Sequence, residues 1–83
     1  MTMKYIVLAA PREEAPVLFP RSFTHSYVAA LFPQMRVLSA GFVGDDDAGP
    51  ACGGRSDSLG ISSRPEADTA LVRASLGAKD NWP

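Results

Sequence analysis

The sequence predicts a small α+β domain: a single sheet of three to four mainly antiparallel strands with two helices packed on one face, in the order β-β-α-β-(β)-α. Three observations lead to this class. Short apolar runs rich in β-branched and aromatic residues are punctuated by Pro and Gly. Two longer segments carry apolar side chains at i, i+3 and i+4. The chain has 83 residues, enough for one domain that buries only about 60% of its unfolded surface.

Met3 to Ala10 reads as a buried strand with large apolar residues on both faces. Pro11-Arg12-Glu13-Glu14 is a turn, and Ala15 to Phe19 a second strand that hairpins back. Pro16 and Pro20 cannot donate to a ladder, which assigns this strand to an edge. Ser22 to Phe32 reads as the first helix, capped by Thr24 or Ser22 and ended by Pro33, with Val28, Leu31 and Phe32 as its apolar stripe. Val37 to Val43 is the third strand, in which Leu38, Ala40 and Phe42 share one face. Gly41 inside it indicates a bulge or a close backbone approach. Gly44 to Pro50 is a loop by composition, Ala51 to Arg55 a short fourth strand, and Ser56 to Ser62 a loop pinned by Leu59 and Ile61. Ser63 and Glu66 have capping-box spacing, and Ala67, Ala70, Leu71 and Ala74 give the second helix, about Pro65 to Leu76, its stripe. Gly77 stops it. Residues 1–77 form the domain and 78–83 a tail.

Composition excludes several classes. Hydrophobic residues make up 46% and charged residues 20%, an ordinary globular balance. Net charge is −1 and no two basic residues are adjacent, so there is no basic stripe for nucleic acid. No apolar run approaches the ~18 residues of a membrane span. The start has features of a short signal peptide, but its apolar run covers only Tyr5 to Ala10, and a strand accounts for it. The single Cys52 permits no internal disulfide, and no Cys/His cluster is spaced to hold a metal. A cytoplasmic protein with no cofactor and no metal is expected, either a monomer or a homodimer that gains core by pairing.

The most informative junction is Arg36-Val-Leu-Ser-Ala-Gly-Phe-Val-Gly44-Asp45-Asp46-Asp47, where a strand runs into three aspartates. A buried run fixes such a cluster at one edge of the domain, where it can meet a basic partner. Glu13 and Glu14 join it if the turns gather at one end. The competing reading is a solvated turn whose charges deter edge pairing. Asp-Asp-Asp-Ala-Gly lacks the alternating ligands and distal Glu of a calcium loop. Gly53-Gly54-Arg55-Ser56-Asp57-Ser58 has the glycines of an anion nest but no P-loop lysine and no dinucleotide fingerprint, and a strand end with an irregular loop explains it better. Cys52 with His25 is a conceivable nucleophile–base pair. So short a chain offers little cleft for it, and Cys52 reads instead as a small buried hydrophobe. His25 reads as a surface residue at a helix start. Trp82 lies beyond every predicted element, either an interface anchor or a lid on the core.

In blocks the chain resembles small proteins encoded in phages and prophages of GC-rich bacteria. The blocks are Met3-Lys4-Tyr5-Ile6-Val7, Val17-Leu18-Phe19-Pro20, Thr24-His25, Val37 to Val43, Gly54-Arg55-Ser56-Asp57-Ser58-Leu59-Gly60 and Ser63-Arg64-Pro65-Glu66-Ala67-Asp68. Anti-CRISPR proteins belong to this group, and the chain is similar to them in size, acidity and lack of catalytic machinery. The resemblance implies a non-enzymatic, stoichiometric inhibitor. Its partner would be Cas subunits of a type I effector complex, whose target-DNA path it blocks. The expected contact residues are Asp45, Asp46, Asp47, Glu13, Glu14 and Trp82. A second class of function is a regulatory or structural subunit that binds through an apolar patch of Trp82, Phe23 and Tyr27.

Overall fold

The computed structural model describes residues 2–77. Six strands and two helices follow one another as β1 (Met3–Ala9), β2 (Glu14–Phe19), α1 (His25–Ala30), β3 (Val37–Asp46), β4 (Gly49–Gly53), β5 (Arg55–Ser56), β6 (Ile61–Ser62) and α2 (Pro65–Gly77). The main sheet has the order β2-β1-β3-β4 and is antiparallel throughout; β5 and β6 form a separate two-stranded hairpin. The α+β class and the hairpin of β1 with an edge strand β2 are as the sequence predicts.

The helices, however, lie on opposite faces of the sheet. Tyr5 and Val7 of β1 pack with Val43, Cys52 and Val72 of α2, whereas Ile6 and Leu8 pack with Phe19, Ala40 and Val28 of α1. Successive strand residues point to opposite faces, so four consecutive buried residues in β1 require cover on both sides. The α1 side is completed by Leu59 and Ile61 from the β5–β6 hairpin. The result is two thin half-cores sharing one sheet.

Register explains further departures. A bulge lies where Val7 pairs with Ser39 but Leu8 pairs with Val37, leaving Leu38 as the extra residue. Leu38 therefore packs on the α2 side and not on the Ala40 face. Gly41 is not the bulge. It marks the close approach, because a methyl there would overlap the Gly53 carbonyl oxygen. β3 also runs on through Gly44, Asp45 and Asp46, and β4 begins at Gly49, so the segment expected to be a loop is a tight hairpin.

Both helices bury a face other than the one their apolar spacing suggests. In α1, Thr24 is the cap and accepts the Tyr27 amide at 3.0 Å, while Leu31 is 60% exposed; the buried residues are His25 and Val28. In α2 the inward residues are Asp68 and Val72, with Leu71 and Leu76 beside them, and Ala67, Ala70 and Ala74 face out. Alanine loses little by exposure, so the longer side chains set the orientation. The N-terminal backbone is closed by Asp68, whose Oδ2 accepts the Arg64 amide at 2.8 Å, in the role that Glu66 was expected to fill.

Candidate functional site

The three aspartates sit at the tip of the β3–β4 hairpin. Asp45 pairs with Pro50 and Asp46 with Gly49, leaving Asp47 and Ala48 as the turn. The Oδ1 of Asp46 accepts the Ala48 amide at 2.8 Å, an Asx turn, and Gly49 takes a φ of +114° that few other residues tolerate. Met3 pairs with Val43, so β3 extends three residues beyond the start of β1 before turning, about 10 Å at strand rise. From the α2 side, Arg73 reaches this hairpin, its Nε donating to the Pro50 carbonyl at 2.8 Å and its guanidinium pairing with Asp46 at 3.3 Å. The tip is thus a held projection, and part of its acidity serves the fold.

Glu13 and Glu14 do not join it. Glu14 pairs with Ala9 at the far end of β1 from Met3, which puts nine residue steps, about 30 Å along the strands, between Glu14 and Asp46. Glu13 is exposed in that distant turn. Glu14 instead accepts two bonds from the Arg64 guanidinium, at 2.7 and 3.3 Å, which holds its carboxyl below the usual range. Trp82 lies outside the described residues.

Arg64 leads to a feature that sequence reasoning missed. Asp68 is fully buried on the α2 side. Its Oδ2 accepts the Tyr5 hydroxyl at 2.5 Å and the Arg64 amide; its Oδ1 accepts the Ser39 hydroxyl at 2.9 Å and the Arg64 guanidinium at 2.9 and 3.1 Å. Burial disfavours the carboxylate, but these donors outweigh it and hold Asp68 below its ordinary range. Tyr5 is pushed far up, first by burial and then by the carboxylate. Three elements (β1, β3 and α2) meet at this one carboxylate, and Arg64 links β2 to it through Glu14. Its only trace in the sequence is Arg64 and Asp68 at i, i+4 spacing across Pro65.

The nucleophile–base pair does not form. Cys52 packs on the α2 side with Val43, while His25 lies on the other face between Phe19 and Phe42. Burial raises the Cys52 thiol, the opposite of what a nucleophile needs. His25 is also not at the surface: it is 4% exposed, and its Nε2 lies 2.8 Å from the Gly41 carbonyl. The glycine segment closes β4 at Gly53 and continues as β5 and the turn into β6, with Gly54 at φ +79° against Phe42 and Arg55 paired to Asp57.

No protein-family model, no curated protein and no solved structure matches the chain. The resemblance to phage-encoded inhibitors therefore stands on the short sequence blocks alone. Among the described residues, no helix is long and apolar enough to cross a membrane, and no group of three or more His, Cys, Asp or Glu could hold a metal ion.

One surface feature remains. Phe23, in the turn before α1, Tyr27 within it and Leu31 at its C-cap are 43, 56 and 60% exposed at four-residue spacing, and the rings of Phe23 and Tyr27 stack with centroids 5.5 Å apart. The Phe23 carbonyl is held by Lys4, which pairs with Phe42 only four residues before Asp46. The aromatic stripe therefore begins at the same end of the sheet as the acidic tip.

Proposed function

We propose that the protein is a non-enzymatic inhibitor that binds a partner protein through the Asp45-Asp46-Asp47 tip. The carrying observation is that three consecutive aspartates ride on a projecting two-residue hairpin whose shape is fixed by an Asx turn, a left-handed glycine and Arg73. A held cluster of one charge steers a basic surface toward it and loses little freedom on docking. Lysines and arginines that line a DNA path have the complementary charge. The partner implied by the sequence resemblance is a type I CRISPR effector complex, and blockage would be steric and electrostatic.

The test is a pull-down of the tagged protein from a CRISPR-bearing host, set beside the D45N/D46N/D47N variant. Asparagine at 46 keeps an oxygen for the Ala48 amide, so the fold is retained. Recovery of Cas subunits, lost in the triple variant, supports the reading; undiminished capture by a folded triple variant overturns the acidic mechanism. Association should also slow at high salt.

The exposed Phe23–Tyr27 stack favours a second reading, a subunit docking through an apolar patch, since aromatics are the usual anchors of interfaces. Under this reading F23S/Y27S abolishes capture, and salt has little effect.

A further inference from the structure

The two edges of the main sheet are finished differently. The Ala9 amide donates to the Arg36 carbonyl at 2.9 Å, so Ala9, Val7 and Tyr5 bond toward β3, and Leu8, Ile6 and Lys4 toward β2. Their partners Ala15, Val17 and Phe19 are thereby engaged, and Glu14, Pro16 and Leu18 turn their backbone groups outward. The missing N–H of Pro16 falls on this outer side. By the same alternation, Pro50 and Cys52 face outward from β4. There α2 closes the edge: Thr69 Oγ1 accepts the Cys52 amide at 2.9 Å, and Arg73 Nε donates to the Pro50 carbonyl at 2.8 Å. Among the described residues no group does the same for β2.

We propose that the outer edge of β2 takes an extended segment of a partner protein, which joins the four-stranded sheet as a further strand. The edge offers the Leu18 N–H and C=O, the Pro16 carbonyl and the Glu14 backbone groups, and such a row is a template for another strand. Both faces of β2 are ready to be covered. Leu18 packs in the α2 half-core and Ala15 and Val17 in the α1 half-core, all only partly buried, so apolar residues on both faces of an added strand extend both cores. On the α2 side lies a groove of about 380 Å³ between Pro16 and Leu71, Ala74 and Ser75. The side chain opposite Pro16 enters it, and its shallow apolar walls suit alanine or valine. Glu13 is exposed at one end of this groove, while Glu14 is held by Arg64, so the segment carries a lysine or arginine where it passes Glu13. A second copy is the poorer occupant. Of the registers that overlap two β2 strands almost fully, one sets the Pro16 rings face to face. The other sets Glu14 against Pro20, whose carbonyl already accepts the Phe23 amide at 3.2 Å. This surface is separate from the acidic tip, which belongs to the opposite edge.

The experiment titrates a panel of capped peptides, about nine residues of valine, threonine and alanine with one terminal lysine, into the full chain. Binding and amide exchange are followed by NMR. The best peptide should bind saturably and slow exchange of the Glu14 and Leu18 amides, leaving Cys52 unchanged. N-methylation of one alternate set of its amides should weaken binding about fivefold for each bond lost, and methylation of the other set should change it little. Glu13→Gln, an exposed change, should weaken binding about threefold, the worth of a surface ion pair. Failure of every peptide to bind saturably overturns the proposal. So does binding indifferent to which amides are methylated, which means apolar adsorption. Slowed Leu18 exchange that needs no peptide and grows with protein concentration assigns the edge to a second copy, and that too overturns it.

Discussion

Asp68→Ala is expected to be the most damaging single substitution away from the apolar cores. It removes the acceptor of the Tyr5 and Ser39 hydroxyls, both of which are wholly buried and without another route to water. Each stranded donor costs about 1–3 kcal/mol. Arg64 loses less, because its side chain is about a third exposed and retains Glu14. The sum, about 4 kcal/mol, agrees with the 3–5 kcal/mol typical of breaking a buried charged pair. A domain of this length has about 4–12 kcal/mol in total, so the variant stands near the folding threshold. Urea unfolding followed by far-UV circular dichroism measures the change in midpoint at constant slope. Asp68→Asn separates polar loss from cavity formation, since it preserves the volume but turns an amide NH₂ toward other donors; it should cost nearly as much. Tyr5→Phe alone should cost about 2 kcal/mol, and Tyr5→Phe with Asp68→Ala less than the sum, because the stranded phenol is gone. A loss below about 1 kcal/mol for Asp68→Ala, at unchanged slope, would refute the role of this carboxylate in tying β1, β3 and α2 together.

Three further outcomes follow from the same structure. The Asp68 carboxyl is held below its unfolded value of about 3.9, so its contribution is present above that pH and is lost as pH falls through the folded value; Tyr5 is raised above about 10, so its contribution is lost as pH rises beyond that. Urea midpoints against pH should show a plateau with two falling limbs, the acid limb flattened in Asp68→Asn and the alkaline limb in Tyr5→Phe. Gly41→Ala should cost about 2 kcal/mol or more by forcing β3 from β4, whereas Gly44→Ala in the same strand, with open space around it, should be nearly neutral; equal midpoints would remove the close-approach argument. Cys52 should react slowly with iodoacetamide in the native state and quickly in urea, and fast native alkylation would contradict its buried, raised thiol.

The parts of the fold legible in the sequence were those set by chain-local rules. Pro16 marked an edge strand, Thr24 a cap, Pro65 the start of α2, and the unbroken Tyr5–Leu8 run a strand buried on both faces. That last observation already required cover on two sides, and the single-layer arrangement overlooked it. What stayed hidden depends on partners distant in sequence. Alanine spacing cannot orient a helix when a longer stripe through Asp68, Val72 and Leu76 competes, and a carboxylate counts against a core position until its donors from β1 and β3 are known. The acidic hairpin was legible as a cluster but not as a shape, because the turn depends on Gly49 and Arg73. The separation of Glu14 from it follows only from register.

Where this protein can act is constrained by how it spends its apolar residues. Both faces of the sheet are covered, one by α2 and the other by α1 with the β5–β6 hairpin, and each half-core is one side chain deep. The end of the sheet near the start of β1 concentrates unusual chemistry: a projecting acidic hairpin, a stacked aromatic pair at the start of α1, and a shallow cavity lined in part by the buried His25. At the opposite end, Glu14 is engaged with Arg64 inside the Asp68 network. The same strand order that separates the glutamates from the aspartates thus places the Asp68 network toward one end and the proposed contact surface at the other. A partner that engaged both the tip and the aromatic stripe would meet an apolar patch beside a charged rim, the usual anatomy of a protein interface. Combining D45N/D46N/D47N with F23S/Y27S tests that geometry. If the two surfaces belong to one interface, each variant alone weakens capture and their effects couple; if they serve different partners, each abolishes one and spares the other.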